Sequence, residues 1–155
     1  HLIASAAIKY GMLKIDPNKK IVFDLAEWLK VDGNSGPYLL YSFARAGSIL
    51  VKNNYKDTAS VEKFEFTENA ETDLLMKMWL FNDAVFEAAE KNSPNILCNY
   101  LYELCQQLNT FYAQCSIMHA PTPASQLTRL SLLANFRHIL ESGLALLNIK
   151  TVKRM

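Results

Sequence analysis

A mainly all-α fold is what this sequence predicts: a helical bundle carrying a short helical and extended appendage at its N-terminal side. Three observations carry that expectation. Apolar residues in the second half recur at alternating intervals of three and four, which places them on one face of a helix. Prolines stand where helices begin rather than inside them. Strand-like alternation is confined to residues 20–24.

The chain opens with a short helical pattern, passes through "NKKIVFDL", and enters a second short helix. Lys20, Val22 and Asp24 alternate with Ile21 and Phe23, a period of two, and Asp16-Pro17-Asn18 reads as a turn. Asp24 is placed to cap the next helix, where Leu25, Trp28 and Leu29 share a face. A turn of Asp32, Gly33, Asn34, Ser35 and Gly36 leads into Pro37. Proline is tolerated at the first helical position because its missing N–H would be unpaired there anyway. The helix it opens should run to about Asn53, ended by Asn53, Asn54, Asp57 and Thr58, with a polar connector to about Asn69.

Three long helical patterns follow. Leu74, Leu75, Met78, Phe81, Val85, Ala88 and Ala89 form the first, stopping before Pro94. Leu97, Leu101, Leu104, Leu108, Phe111 and Cys115 form the second; Leu133, Phe136, Leu140, Gly143 and Leu147 form the third, after Pro121 and Pro123. Each stripe needs a partner, so the three should pack with the Pro37 helix as a bundle. Trp28 and Trp79 are expected in its core.

At 155 residues the chain fits one domain, or one domain with an appendage, large enough to bury a core without staples. Half the residues are apolar, yet the apolar runs are too short to span a bilayer. "HLIASAAI" lacks the basic leading region and cleavage-like break of a signal peptide. A start at His1 instead suggests part of something longer. The three cysteines, Cys98, Cys105 and Cys115, include no CxxC pair and point to a reducing compartment. Charge is segregated. Residues 1–56 hold eight Lys/Arg and four Asp/Glu, residues 57–103 three and ten, and residues 104–155 five and one. Should the basic ends meet in the fold, they make one face for a polyanion, with the acidic middle turned away. Ordinary solvated helix faces would give the same counts.

Catalytic chemistry is thin. His119 and His138 have no Cys or His at metal-ligand spacing, which argues against a zinc site. The cysteines fall on a helical stripe and read as core; a Cys105–His138 pair could form only across two helices, with nothing to orient the base. Gly33 and Gly36 follow no strand, so they make no phosphate loop. The aromatics say more. Tyr38, Tyr41 and Arg45 stand at i, i+3 and i+7, so one helix face could present two phenols and a guanidinium. Such groups hold unstacked RNA bases. Equally, both tyrosines could be core-edge residues with wetted hydroxyls; Tyr100, Tyr102 and Tyr112 share that ambiguity.

The same stretches carry a resemblance. "AAIKYGMLK" and "FDLAEWLKVDGNSGPYLLYSFARAGSIL" resemble arginyl-tRNA synthetases in the part that follows their catalytic domain. "YLYELCQQLNTFYAQC" is similar to the middle helix of their anticodon domain, and "RLSLLANFRHILESGLALLNIKTVKRM" to the last helix and tail. The likeness covers nearly all of the chain in order, and is weakest from Asn54 to Asn69.

The resemblance implies a linking segment over 1–31 and a helical anticodon-binding domain over 32–155. It implies a class I aminoacyl-tRNA synthetase that joins arginine to tRNA(Arg) using ATP, with magnesium, in the cytoplasm and as a monomer. The family's ATP-binding signatures belong to an upstream domain and have no match here, so this piece is expected to supply tRNA recognition and no catalytic residue, metal or cofactor site. By position, Tyr38, Tyr41 and Arg45 match the anticodon-facing helix, Asn34 and Gly36 the turn that sets its approach, and Tyr112 an aromatic lining the pocket. Arg154 and Met155 match a terminal pair that reaches the anticodon loop. Val51 stands where many relatives have a basic residue, Ser116 where some have a large aromatic, and Asn148 in place of a frequent glycine; Thr151-Val152-Lys153 replaces a proline-containing tail. On this reading Tyr38, Tyr41 and Tyr112 are held outward to capture bases, the glycine-rich entry admits RNA close to the backbone, and Arg45 fixes a phosphate or base edge. Lys9 and Lys20 would add salt-sensitive attraction. A helical protein-interaction module and a freestanding tRNA-binding domain are the alternatives.

Overall fold

In the computed structural model, residues 1–56 and 64–152 are described. The centre of the 54–69 connector, and Arg154 and Met155, lie outside the described residues. Among the described residues, seven helices follow in order: α1 Leu2–Leu13, α2 Leu25–Trp28, α3 Gly36–Lys52, α4 Asn69–Trp79, α5 Phe81–Glu90, α6 Pro94–Gln114 and α7 Pro123–Leu146. No strand occurs among the described residues, and no described helix is long and apolar enough to cross a membrane.

The starts obey local chemistry. Asp24 caps α2 by accepting from the Glu27 N–H at 3.1 Å. Ser35 caps α3 by accepting from the Tyr38 N–H, with Pro37 in the first turn. At α7, Thr122 and Ser125 satisfy each other's backbone N–H groups at 3.0 and 3.1 Å ahead of Pro123. That helix ends where Asn148 takes a left-handed φ of 55° and the Ile149 N–H returns to the Leu144 carbonyl. Asparagine tolerates this conformation better than most residues, which is why it can end the helix where a glycine is the usual choice.

α6 runs through the middle. Its stripe Leu97, Cys98, Leu101, Leu104, Cys105, Leu108 and Phe111 is buried, as are Leu133, Phe136, Leu140 and Leu144 of α7. α1 and α7 pack against α3, and α4 and α5 against α6. The two basic thirds of the sequence therefore meet through α3, while the acidic α4 and α5 lie across α6.

Several expectations fail, each for a physical reason. Residues 20–24 form no strand, because one short alternating stretch has nothing to pair with. Only Trp28 of the α2 face is buried; Leu25 and Leu29 are exposed. The helix foreseen from Leu74 to Ala89 is two helices broken at Leu80, and α5 has no buried residue. Trp79, expected in the core, is 79% exposed at that break.

Candidate nucleic-acid interface

The entry to α3 is held from behind. Asn34 spends its side-chain oxygen on the Tyr10 hydroxyl, which donates at 2.6 Å, and its carbonyl on the Lys14 ammonium at 2.7 Å. Ser35 donates its hydroxyl to the Lys30 carbonyl. A Cβ on Gly36 would stand 2.4 Å from the Ala6 carbonyl oxygen. The glycine is there for close approach of α1, not of RNA, which corrects the expectation of an open entry. Asn34 and Gly36 set the position of α3.

Three residues further on the tyrosines part ways. Tyr38 is buried, its hydroxyl accepting from Asn109 Nδ2 at 2.7 Å and its ring meeting Tyr102 edge-on at 5.7 Å. Burial pushes its phenol up to about 12. It seals α3 to α6, so the expectation that it stands outward is overturned. Residues i and i+3 differ by about 60° around a helix, enough to send one into the neighbouring helix and leave the other in water. Tyr41 is that other, 45% exposed.

Arg45 and Tyr112 come together. The guanidinium carbon sits 4.4 Å from the centroid of the Tyr112 ring, a cation–π arrangement. Among the described residues Arg45 has no carboxylate partner. Tyr112 is half-buried, and its hydroxyl is enclosed without a hydrogen-bond partner. Burial raises this phenol, opposed by Arg45 and reinforced by Cys105 and Tyr41. The group therefore stays a neutral donor. Together Tyr41, Arg45 and Tyr112 make a small shelf: an exposed ring, an unpaired cation lying on a second ring, and a hydroxyl in want of an acceptor. Such a shelf can stack a planar base and meet an anion. Ser116, four residues after Tyr112 and past the end of α6, is exposed.

Cys98 and Cys105 are fully buried, and burial pushes each thiol up to about 12. His138 is exposed and lines a cavity of about 420 Å³ between α3 and α7.

A family model described as the DALR anticodon binding domain matches residues 39–155. The chain belongs to that family. An arginine–tRNA ligase of Bdellovibrio bacteriovorus is 40% identical to this DALR domain chain over 153 residues, 99% of the chain and 26% of the relative. The solved arginyl-tRNA synthetase of Thermus thermophilus superposes with a TM-score of 0.90 at 32% identity, covering 99% of this chain and 27% of that one. The Plasmodium falciparum arginyl-tRNA synthetase gives 0.83 at 26%, covering 97% and 26%. The chain thus spans about a quarter of the length of the relatives it matches. No group of three His, Cys, Asp or Glu converges among the described residues, and no glycine-rich phosphate loop exists.

The DALR domain also contains polar residues that sequence reasoning passed over. Arg129 and Glu71 form a buried ion pair, Nε to Oε1 at 2.5 Å. Arg129 donates further to the Ser116 carbonyl and to Thr67 Oγ1. The other oxygen of Glu71 accepts from the Thr67 and Glu68 N–H groups. Burial pushes the Glu71 carboxyl up, but Arg129 and these two backbone donors outweigh it and hold it below the usual range. One signal was available: Arg129 stands beside Leu130, Leu132 and Leu133, at the start of the stripe that the α7 pattern assigns to the core.

Proposed function

We propose that this chain is the anticodon-recognising part of an arginyl-tRNA synthetase and grips the anticodon loop of tRNA(Arg) on the Tyr41–Arg45–Tyr112 shelf. The observation that carries the reading is Arg45 on Tyr112 beside exposed Tyr41, with neither the cation nor the phenol finding a polar partner among the described residues. Family membership and the synthetase relatives supply the nature of the ligand. A base opened from the loop stacks on Tyr41, a phosphate or base edge meets Arg45, and the Tyr112 hydroxyl, enclosed in the free chain, is uncovered as the RNA engages Arg45 and finds an acceptor. Tyr38, Asn34 and Gly36 serve this site from behind by fixing α3. Arg154 and Met155 keep the contact with the anticodon loop that the resemblance implies. Residues 1–31 act as the linking segment and 32–155 as the anticodon-binding domain.

Ligation of arginine to tRNA(Arg), with ATP and magnesium, belongs on this reading to the rest of a longer, monomeric cytoplasmic enzyme. The decisive measurement is fluorescence anisotropy with a labelled tRNA(Arg) anticodon stem-loop. Each stacked base is worth about 1–3 kcal/mol, so Tyr41→Ala and Arg45→Ala should each weaken binding by roughly five- to a hundredfold. Wild-type affinity in both variants, with the helical circular dichroism intact, refutes the shelf.

A further inference from the structure

The kinked pair of helices α4 and α5 carries a second pattern on its outer side. Inward, Leu74, Met78, Phe81 and Val85 pack on the core from both sides of the break at Leu80. Outward, Asp73, Met76, Trp79, Asp83, Phe86 and Glu90 follow one another at intervals of three or four, the spacing that gathers residues on one helix face. Leu80 has φ −76° and ψ 3°, so the break tilts the axis and leaves the two faces in register. All six outer residues are exposed, with Trp79 at 79%, Phe86 at 69% and Met76 at 62%. Single exposed hydrophobes are ordinary on a protein surface. A tryptophan, a phenylalanine and a methionine aligned on one face are not single, and such an alignment marks an interface.

Charge decides what fits there. Between residues 69 and 91 the only cations are Lys77 and Lys91, and both are spent: Lys77 on Glu103 and Lys91 on Glu87, each at 2.5 Å. Among the described residues Asp73, Asp83 and Glu90 have no cationic partner. The face therefore intersperses apolar anchors with unpaired carboxylates over about 25 Å, taken at 1.5 Å per residue. RNA and anionic lipid headgroups are repelled by such a field. A second copy docked through the same face would set carboxylate against carboxylate.

The complement of this face is a helix of similar length that carries an apolar stripe flanked by Lys or Arg. Its stripe would cover Met76, Trp79 and Phe86, and its cations would pair with the carboxylates as the e and g charges of a coiled coil do. We propose that the outer face of α4 and α5 is a docking surface for a cationic amphipathic helix of a partner protein. Trp79 is its central anchor, since buried tryptophans dominate interface energetics. α4 and α5 lie across α6 from α3, so this partner and the RNA occupy different sides of the bundle and can be held together.

The test titrates the full-length protein into a labelled helical peptide of about five turns, with one leucine face flanked by lysines, and follows anisotropy. A control peptide has glutamate in place of every lysine. The lysine peptide should bind and the glutamate peptide should not. Trp79→Ala should weaken the lysine peptide by roughly tenfold or more, as loss of a tryptophan anchor does. Asp83→Lys combined with Glu90→Lys should invert the preference, so that the glutamate peptide becomes the tighter ligand. These side chains are exposed, so the variants should keep the helical circular dichroism and the wild-type stem-loop affinity. Failure of the lysine peptide to bind overturns the surface, whether the face lacks affinity or the rest of the chain already covers it. Binding indifferent to Trp79→Ala and to the charge reversal also overturns it, being general attraction to an acidic protein. Saturating stem-loop should change peptide affinity by no more than about twofold; competition would place the peptide on the RNA shelf and overturn the proposal. Tyr41→Ala and Arg45→Ala test the shelf alone, so either reading can fail without the other.

Discussion

Two polar clusters lie at opposite ends of the same stretch of backbone, and they differ in how completely their hydrogen bonds are spent. At the α4–α7 corner, Arg129 uses Nε and both terminal nitrogens, and Glu71 uses both oxygens. On the shelf, among the described residues, Arg45 has a ring beneath it but no carboxylate, and the Tyr112 hydroxyl has no partner. The two meet around Ser116: its carbonyl takes Arg129, and Tyr112 stands four residues before it. A saturated cluster has no capacity left for a ligand and serves the fold. An unsaturated one carries an unfavourable desolvation of about 1–3 kcal/mol that a ligand can relieve. Completeness of hydrogen bonding, more than charge or burial, separates the structural arginine from the one proposed to meet RNA.

The strongest way to break the comparison is at its saturated side. Arg129→Ala leaves Glu71 charged, buried and short of its main partner, which should cost about 3–5 kcal/mol of stability, read as a drop in the denaturant midpoint. Arg45→Ala on the shelf should change that midpoint by less than about 0.5 kcal/mol. Equal losses in both would erase the distinction.

Acid provides a second, smaller lever. Glu71 is held below its ordinary range when folded, so its contribution is fully present above the unfolded carboxyl value near 4.3 and is lost as pH falls through the folded value. The gap in unfolding free energy between the wild type and Glu71→Gln should therefore be wide at pH 7 and narrow by pH 3, measured by urea titration at each pH. A gap independent of pH would mean that geometry rather than charge sets the role of Glu71.

Much of this was legible in the sequence, and what escaped shares one cause. The bundle, the Pro37 start of α3 and the buried stripes of α6 and α7 depend on local periodicity, which one chain displays in full. The fate of Tyr38 depends on Asn109, 71 residues away, and Arg129 on Glu71, 58 residues away. Periodicity places Tyr38 and Tyr41 within one sector of α3 but cannot say where α6 crosses it. The break at Leu80 was hidden because no glycine or proline marks it. Trp79 was misread for the same reason: its sector was assigned to the core of a single long helix that does not exist. The close contact of Gly36 with Ala6 was likewise invisible, since a glycine looks alike whether RNA or a helix fills the space beside it.

The finest test of the comparison removes one atom. Tyr112→Phe keeps the ring under Arg45 and deletes only the enclosed hydroxyl. An unpartnered buried hydroxyl does nothing for the fold, so the variant should be as stable as the wild type or gain up to about 1 kcal/mol. Binding should move the other way. If the hydroxyl finds an acceptor on the anticodon loop, losing that bond should weaken stem-loop affinity by roughly two- to tenfold, the equivalent of about 0.5–1.5 kcal/mol. Opposite signs in the two measurements are the signature of a group kept for its ligand. A loss of stability without a loss of affinity would show that Tyr112 belongs with Arg129 on the saturated side, and the shelf would shrink to Tyr41 and Arg45.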